Sequence, residues 1–204
     1  MLYITTPYYA VEESIQEALC IAADAGVDVR LMIPAIPDKK LVYLVAETYW
    51  GELLRHGVKI YKYTPGFVHA KSVMADREAA LIGSTNMDYR SFQLHYEDAV
   101  MLYHMPVIEE LLEDMDHIVE DSQLYTLEDW ENRLKIDSLH RIVRVIQRPI
   151  LKGLAEALHR RTFPAGAVVI VLVGKMTAQL IHHLIGGHQK LFLHSSSPFS
   201  SRNL

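Results

Sequence analysis

The sequence predicts an α/β domain in which helices flank a sheet, and three observations carry that reading. Short apolar runs of strand character alternate with amphipathic helical stretches along residues 1–121. Glycine and proline punctuate the changeovers, at Gly26, Gly57 and the Pro65-Gly66 pair. The chain is 50% hydrophobic and 22% charged, and its 204 residues suffice for one sizeable core.

Residues 2–6 read as the first strand. Val11, Ile15 and Leu19, with Ala18, Ala22 and Ala23, then form a helical stripe that ends near Gly26. Residues 27–33 are a buried strand. Residues 39–56 have helical periodicity closed by Gly57, and residues 58–63 return to strand character before the Pro65-Gly66 turn. Two short strands follow at 68–74 and 79–83, a third at 98–103, and an acidic helix at 106–121. The close spacing of the strands at 68–83 suits an antiparallel hairpin, so both a parallel and a mixed sheet stay open. Tyr43, Tyr49, Trp50, Tyr61 and Tyr63 are expected in the core or lining a cleft. Cys20 is the only cysteine, expected as a buried structural thiol in a reducing compartment.

Residues 125–134 predict a short helix, with Thr126 and Asp129 at capping-box spacing. Beyond it the character changes. Leu139, Ile142, Val143, Ile146, Ile150, Leu154 and Leu158 recur at steps of three or four, while Arg141, Arg144, Arg148, Lys152, Arg160 and Arg161 take other faces, and Pro149 bends the run. This basic amphipathic extension fits packing on the domain or docking on a membrane surface. Residues 165–173 read as a buried strand, too short to cross a bilayer, and the Ser/His-rich end as disordered. His182, His183 and His188 lack the spacing of a metal site. Two units result: a catalytic-type domain over 1–134 and an unassigned tail over 135–204.

Charge divides along the same line. Residues 1–132 hold 9 Lys/Arg against 23 Asp/Glu, net −14, whereas residues 133–204 hold 11 against 2, net +9. The acidic body argues against nucleic acid, whose non-specific affinity comes from phosphate neutralisation by Lys and Arg. The basic tail suits anionic lipid. The opening MLYITTPYY has neither a basic n-region nor a long apolar core, so no signal peptide or transmembrane anchor is expected there.

The most informative segment reads HAKSVMADREAALIGSTN, from His69 to Asn86. Its pattern is H-x-K-x4-D-x6-G-S-x-N. Period-two alternation sends His69, Lys71 and Val73 to one strand face, where an imidazole and an ammonium can share one phosphate. This pattern resembles the signature of the phospholipase D superfamily, whose members cleave or exchange phosphodiester bonds through a covalent histidine intermediate. A phospholipase D-like layered α-β-α domain, with a mixed sheet, is the fold that the resemblance implies.

The chemistry is consistent with those residue types. A neutral imidazole can attack phosphorus and split one displacement into two. The leaving alkoxide needs a proton from the in-line side, so one histidine cannot serve both ends at once. Two histidines are required. Lys71 as a point charge and Asn86 as an amide would stabilise the equatorial oxygens, with a hydroxyl from Ser84. Asp76 is counted with His69 and Lys71 in the catalytic set, more as a shaper of its loop than as a proton carrier. By resemblance to the superfamily, Glu97 orients a catalytic histidine through its ring N–H.

The flanking text TPYY, ALCIAADAGVDVRLMIP, YWGELLRHGVKIYKYTPGFVHAK and GSTNMDYRSFQLHYE resembles the C-terminal catalytic half of bacterial cardiolipin synthases, over about residues 1–134. The resemblance implies a phosphatidyltransferase acting on phosphatidylglycerol at the bacterial cell membrane. It implies no metal and no cofactor, and His69 as nucleophile or general acid. Three departures stand out. Only one signature is present where the family carries two, which implies a second signature-bearing half from a twin subunit or another chain. His95 stands where the family more often has Asn, and some seventy residues after 135 have no counterpart. The competing expectations are a homodimeric phosphodiesterase that uses water as acceptor and a catalytically incomplete fragment.

Overall fold

The computed structural model describes residues 1–136. The basic amphipathic stretch, the apolar run at 165–173 and the three C-terminal histidines all lie outside them.

Among the described residues, seven strands form one mixed sheet. In chain order the main strands are β1 (Leu2–Thr5), β3 (Val29–Pro34), β4 (Lys59–Tyr63), β5 (Ser72–Ala75), β6 (Ala79–Gly83), β8 (Ala99–Tyr103) and β9 (Ser122–Tyr125). They lie side by side in the order β8-β6-β5-β1-β3-β4-β9. β1, β3 and β4 are mutually parallel, while β5, β6, β8 and β9 each join antiparallel. The parallel centre reflects helical crossovers, and the antiparallel flank reflects the tight turn between β5 and β6. A separate two-stranded bridge pairs β2 (Tyr9–Ala10) with β7 (Met87–Asp88) in parallel.

Alternation of side chains across the sheet makes two cores. Leu2, Ile4, Val29, Leu31, Ile33 and Ile60 face α1 (Glu13–Asp24) and α2 (Lys40–Arg55), which bury Leu19, Ala22, Trp50 and Leu53 against them. Tyr3, Met32, Met74 and Ala80 face the other way and pack on Ile108, Leu112 and Met115 of α4 (Val107–Glu120). Each fully buried Leu or Ile contributes roughly 1.5–3 kcal/mol of transfer free energy. The result is the expected layered α-β-α arrangement. Cys20 is buried against α2, and burial pushes its thiol up to about 11.

The last described helix, α5 (Leu127–Ile136), begins two residues later than expected. Asp129 accepts from the Thr126 backbone N–H at 2.9 Å while Thr126 Oγ1 accepts from the Asp129 N–H at 3.1 Å, a reciprocal cap. Those Thr126 bonds hold the Asp129 carboxyl below its ordinary value. Trp130 docks α5 on α2: its Nε1 donates to the Glu47 carbonyl at 2.8 Å, and its ring occupies the space where a Gly51 side chain would go. Nearby, the Lys62 ammonium lies 3.6 Å from the Tyr125 ring centre, 4.9 Å from that of Trp50 and 5.7 Å from that of Tyr43. Burial pulls Lys62 down to about 8 although Glu47 is 3.8 Å away. The tyrosines and Trp50 at this end are thus core residues.

Two expectations need correction. The strand expected at 68–74 starts only at Ser72, because β1 has four residues and its ladder runs out at the Thr5–Ser72 pair. His69 and Lys71 therefore lie in the approach to β5 rather than on a strand face. β2, β7, β9 and the short helix α3 (Tyr89–Gln93) have no counterpart among the expected elements.

Candidate active site

The site forms where β5 and β6 emerge at the end of the sheet that also carries the carboxyl ends of β1 and β3. His69 is exposed, with its ring 5.8 Å from that of Phe67. Lys71 curls back on it: Nζ sits 3.1 Å from His69 Nδ1 and donates to the His69 carbonyl at 2.7 Å. Imidazole and ammonium do meet, though through the curled approach segment. Burial lowers the Lys71 ammonium from its ordinary value, while the charges of Glu97 and Asp88 draw it back up.

The GST-N stretch is fixed on the neighbouring strand end. The Gly83 N–H donates to the Lys71 carbonyl at 3.1 Å, and the Ser84 N–H to the Asp98 carbonyl at 2.8 Å. A side chain at Gly83 would collide with the backbone of β8, so only glycine allows this approach. Ser84 Oγ accepts from the Asp98 N–H at 3.0 Å and donates to the Glu97 carboxylate. Asn86 Nδ2 donates to Ser91 Oγ at 3.2 Å, and its buried Oδ1 has no partner among the described residues. Asp88 caps α3 by accepting from the Ser91 N–H at 2.7 Å.

Asp76 and Glu97 are the remaining expected site residues. Asp76 lies beyond the far end of β5, roughly 15 Å from Lys71 by strand rise. There it occupies the β5–β6 turn with φ 50°, followed by Arg77 at φ 60°, and pairs with the amino terminus. A tight turn whose first two residues both have positive φ favours short polar side chains, which fits Asp76 as a shaper of its loop. Glu97 meets a histidine, but that histidine is His95, whose Nδ1 is 3.4 Å from Glu97 Oε1. Arg90 closes the chain of contacts, with a terminal nitrogen 3.2 Å from His95 Nε2. No sequence pattern singled out Arg90. Its proximity to the site comes from α3 ending at Leu94, where the N–H groups of Leu94 and His95 both return to the Arg90 carbonyl. Among the described residues no three His, Cys, Asp or Glu side chains converge as a metal ion would require, and no helix is long and apolar enough to cross a membrane.

The family described as "Cardiolipin synthase, PLD-like domain" matches residues 1–119. The chain belongs to that family. Its PLD-like domain is 42% identical over 132 residues to a cardiolipin synthase of Halalkalibacterium halodurans, covering 65% of this chain and 26% of the relative. A cardiolipin synthase of Geobacillus kaustophilus is 39% identical over 163 residues, covering 80% of this chain and 30% of the relative. That alignment takes in more of the chain than residues 1–134, where the resemblance read from the sequence stopped. The chain spans less than a third of the length of these relatives. Among solved structures, the phospholipase D family member Nuc from Salmonella typhimurium superposes with a TM-score of 0.53 at 22% identity, covering 61% of this chain and 81% of its own. The phosphatidylserine synthase of Haemophilus influenzae gives 0.53 at 15% identity, covering 71% and 41%. At such identities these two establish that the PLD-like domain shares their fold.

Proposed function

We propose that the PLD-like domain transfers a phosphatidyl group from one phosphatidylglycerol to a hydroxyl of another through a phosphohistidine. The observation that carries this reading is the complete signature with Lys71 in contact with the His69 ring. In the first step one imidazole forms a P–N bond as the P–O bond to glycerol breaks, and a second imidazole protonates the departing alkoxide. In the second step the acceptor hydroxyl gives its proton to that second ring as its oxygen displaces the histidine nitrogen. Cardiolipin and glycerol leave, and both rings are restored.

His69 is one member of the pair. Its partner comes from a second signature-bearing half, supplied by a twin subunit across an isologous interface or by the remainder of a longer chain. Lys71 lies where it can leave His69 for an incoming phosphate oxygen, and Asn86 adds a neutral amide donor, joined by Ser84 when its hydroxyl proton turns from Glu97 to the phosphate. The reaction runs at the surface of the bacterial cell membrane, with the +9 charge of residues 133–204 favouring anionic lipid. It draws on no metal and no cofactor.

The test is purified chain in phosphatidylglycerol micelles over a range of protein concentrations. Cardiolipin with equimolar glycerol, lost in His69→Ala, supports the proposal. Phosphatidic acid in place of cardiolipin would make water the acceptor, and no product at any concentration would reject activity of this chain by itself.

A further inference from the structure

Each phosphatidylglycerol carries its own phosphodiester, so a transferase that joins two of them brings two anions within a glycerol's length of each other. Lys71 faces the one bonded to histidine. The second needs a separate cation, or mutual repulsion of the phosphates opposes the encounter.

A second cation is in place. Arg90 is exposed and makes no ion pair among the described residues. Instead its terminal nitrogen lies 3.2 Å from His95 Nε2. With the guanidinium donating there, the ring proton sits on Nδ1, facing Glu97 Oε1 at 3.4 Å. The other Glu97 oxygen accepts from Ser84 of the signature. A chain of contacts Arg90–His95–Glu97–Ser84, with its middle step at 3.4 Å, therefore links the guanidinium to the signature loop. The imidazole orients Arg90 without neutralising it, and its other N–H donors stay available for a planar, bidentate grip on phosphate. Asn86 of the signature donates to Ser91 Oγ at 3.2 Å, one residue after Arg90, which ties α3 to the same site.

We infer that Arg90 binds the phosphodiester of the acceptor lipid and that His95 is the residue that positions it. This inference rests on the phosphatidyl-transfer reading above and adds acceptor selection to it: the site would favour alcohols that carry an anionic phosphate over neutral ones.

The test uses the full chain in mixed micelles with phosphatidyl-labelled phosphatidylglycerol as donor and two competing acceptors, phosphatidylglycerol and monoacylglycerol. Both present primary hydroxyls at a lipid surface, and only one carries phosphate. The wild type should prefer the phosphorylated acceptor. Arg90→Gln should lower the ratio of the two products about 10- to 100-fold, the worth of one charge-assisted hydrogen bond. Because the readout is a ratio, loss of folded protein cancels. His95→Ala should raise KM for phosphatidylglycerol as acceptor with a smaller change in kcat, and His95→Asn, which keeps an acceptor for the guanidinium, should restore part of it. Soluble glycerophosphoglycerol separates phosphate from acyl chain: its use should fall in Arg90→Gln as steeply as that of the lipid. An unchanged product ratio in Arg90→Gln overturns the inference while leaving phosphatidyl transfer standing. Absence of transfer by the wild type to either acceptor overturns both.

Discussion

Gly83→Ala puts the geometry of the site under direct strain. A Cβ at Gly83 would lie 2.2 Å from the Asp98 carbonyl oxygen, 2.7 Å from Ala99 Cα and 2.8 Å from Ala99 Cβ. Two of those atoms are backbone and cannot rotate away. Ordinary contact begins near 3.4 Å, so the ends of β6 and β8 must part by about 1 Å. That displacement stretches the 2.8 Å bond from the Ser84 N–H to the Asp98 carbonyl and moves Ser84 relative to Glu97. Overpacking costs about 1–3 kcal/mol and the weakened hydrogen bond about 1 more, so unfolding free energy should fall by about 2–4 kcal/mol. A misplacement of about 1 Å at the reacting groups should also cut turnover roughly 100-fold. Urea unfolding gives the first quantity and the rate of phosphatidylglycerol conversion the second. Gly66→Ala is the control, since nothing lies within 4 Å of its added Cβ. Wild-type stability and turnover in Gly83→Ala would refute the claim that β6 and β8 touch at this glycine to hold the site.

Gly51→Ala should destabilise the domain, because its Cβ would meet the Trp130 ring at 2.3–2.6 Å and force α5 off α2. The overpacking cost of about 1–3 kcal/mol outweighs the gain in helix propensity of about 1, and a raised urea midpoint would contradict it. Asp76→Asn should leave turnover intact, while Asp76→Val should cost about 1–2 kcal/mol of stability at its positive φ; loss of activity in a stably folded Asp76→Asn would return Asp76 to the chemistry. Lys62, ordinarily 10.5 and pulled to about 8 in the fold, binds fewer protons folded than unfolded between those values. Stability should therefore gain from this residue as pH rises from 8 to 10, and the gain should vanish in Lys62→Met. Identical pH slopes in the two proteins would exclude the burial effect.

The parts legible in the sequence were those with a long period or a dense motif. The alternation of residues 2–6, 27–33 and 58–63 with helical stripes gave the layered architecture, since each apolar face needs a partner. What escaped were elements too short to show a period. β2 and β7 have two residues each, and β9, Ser-Gln-Leu-Tyr, has a single buried side chain. At the site, the period-two pattern through His69, Lys71 and Val73 continued past the point where β1 stops, so it overstated the strand. Strand length is set by the shorter partner, which a local pattern does not contain. His95 stands out in the sequence as a departure from the resembling family, yet its contacts with Glu97 and Arg90 come from the turn after α3. Tertiary closure of that kind leaves no mark on spacing.

The most direct measurement is an acid-quench of turnover with phosphatidyl-labelled phosphatidylglycerol, followed by mapping of label on the protein. A phosphorus–nitrogen adduct on His69, or on the imidazole that pairs with it, is the expected result, and it should disappear with activity in His69→Ala. Continued cardiolipin production with no labelled histidine on either ring would contradict the account.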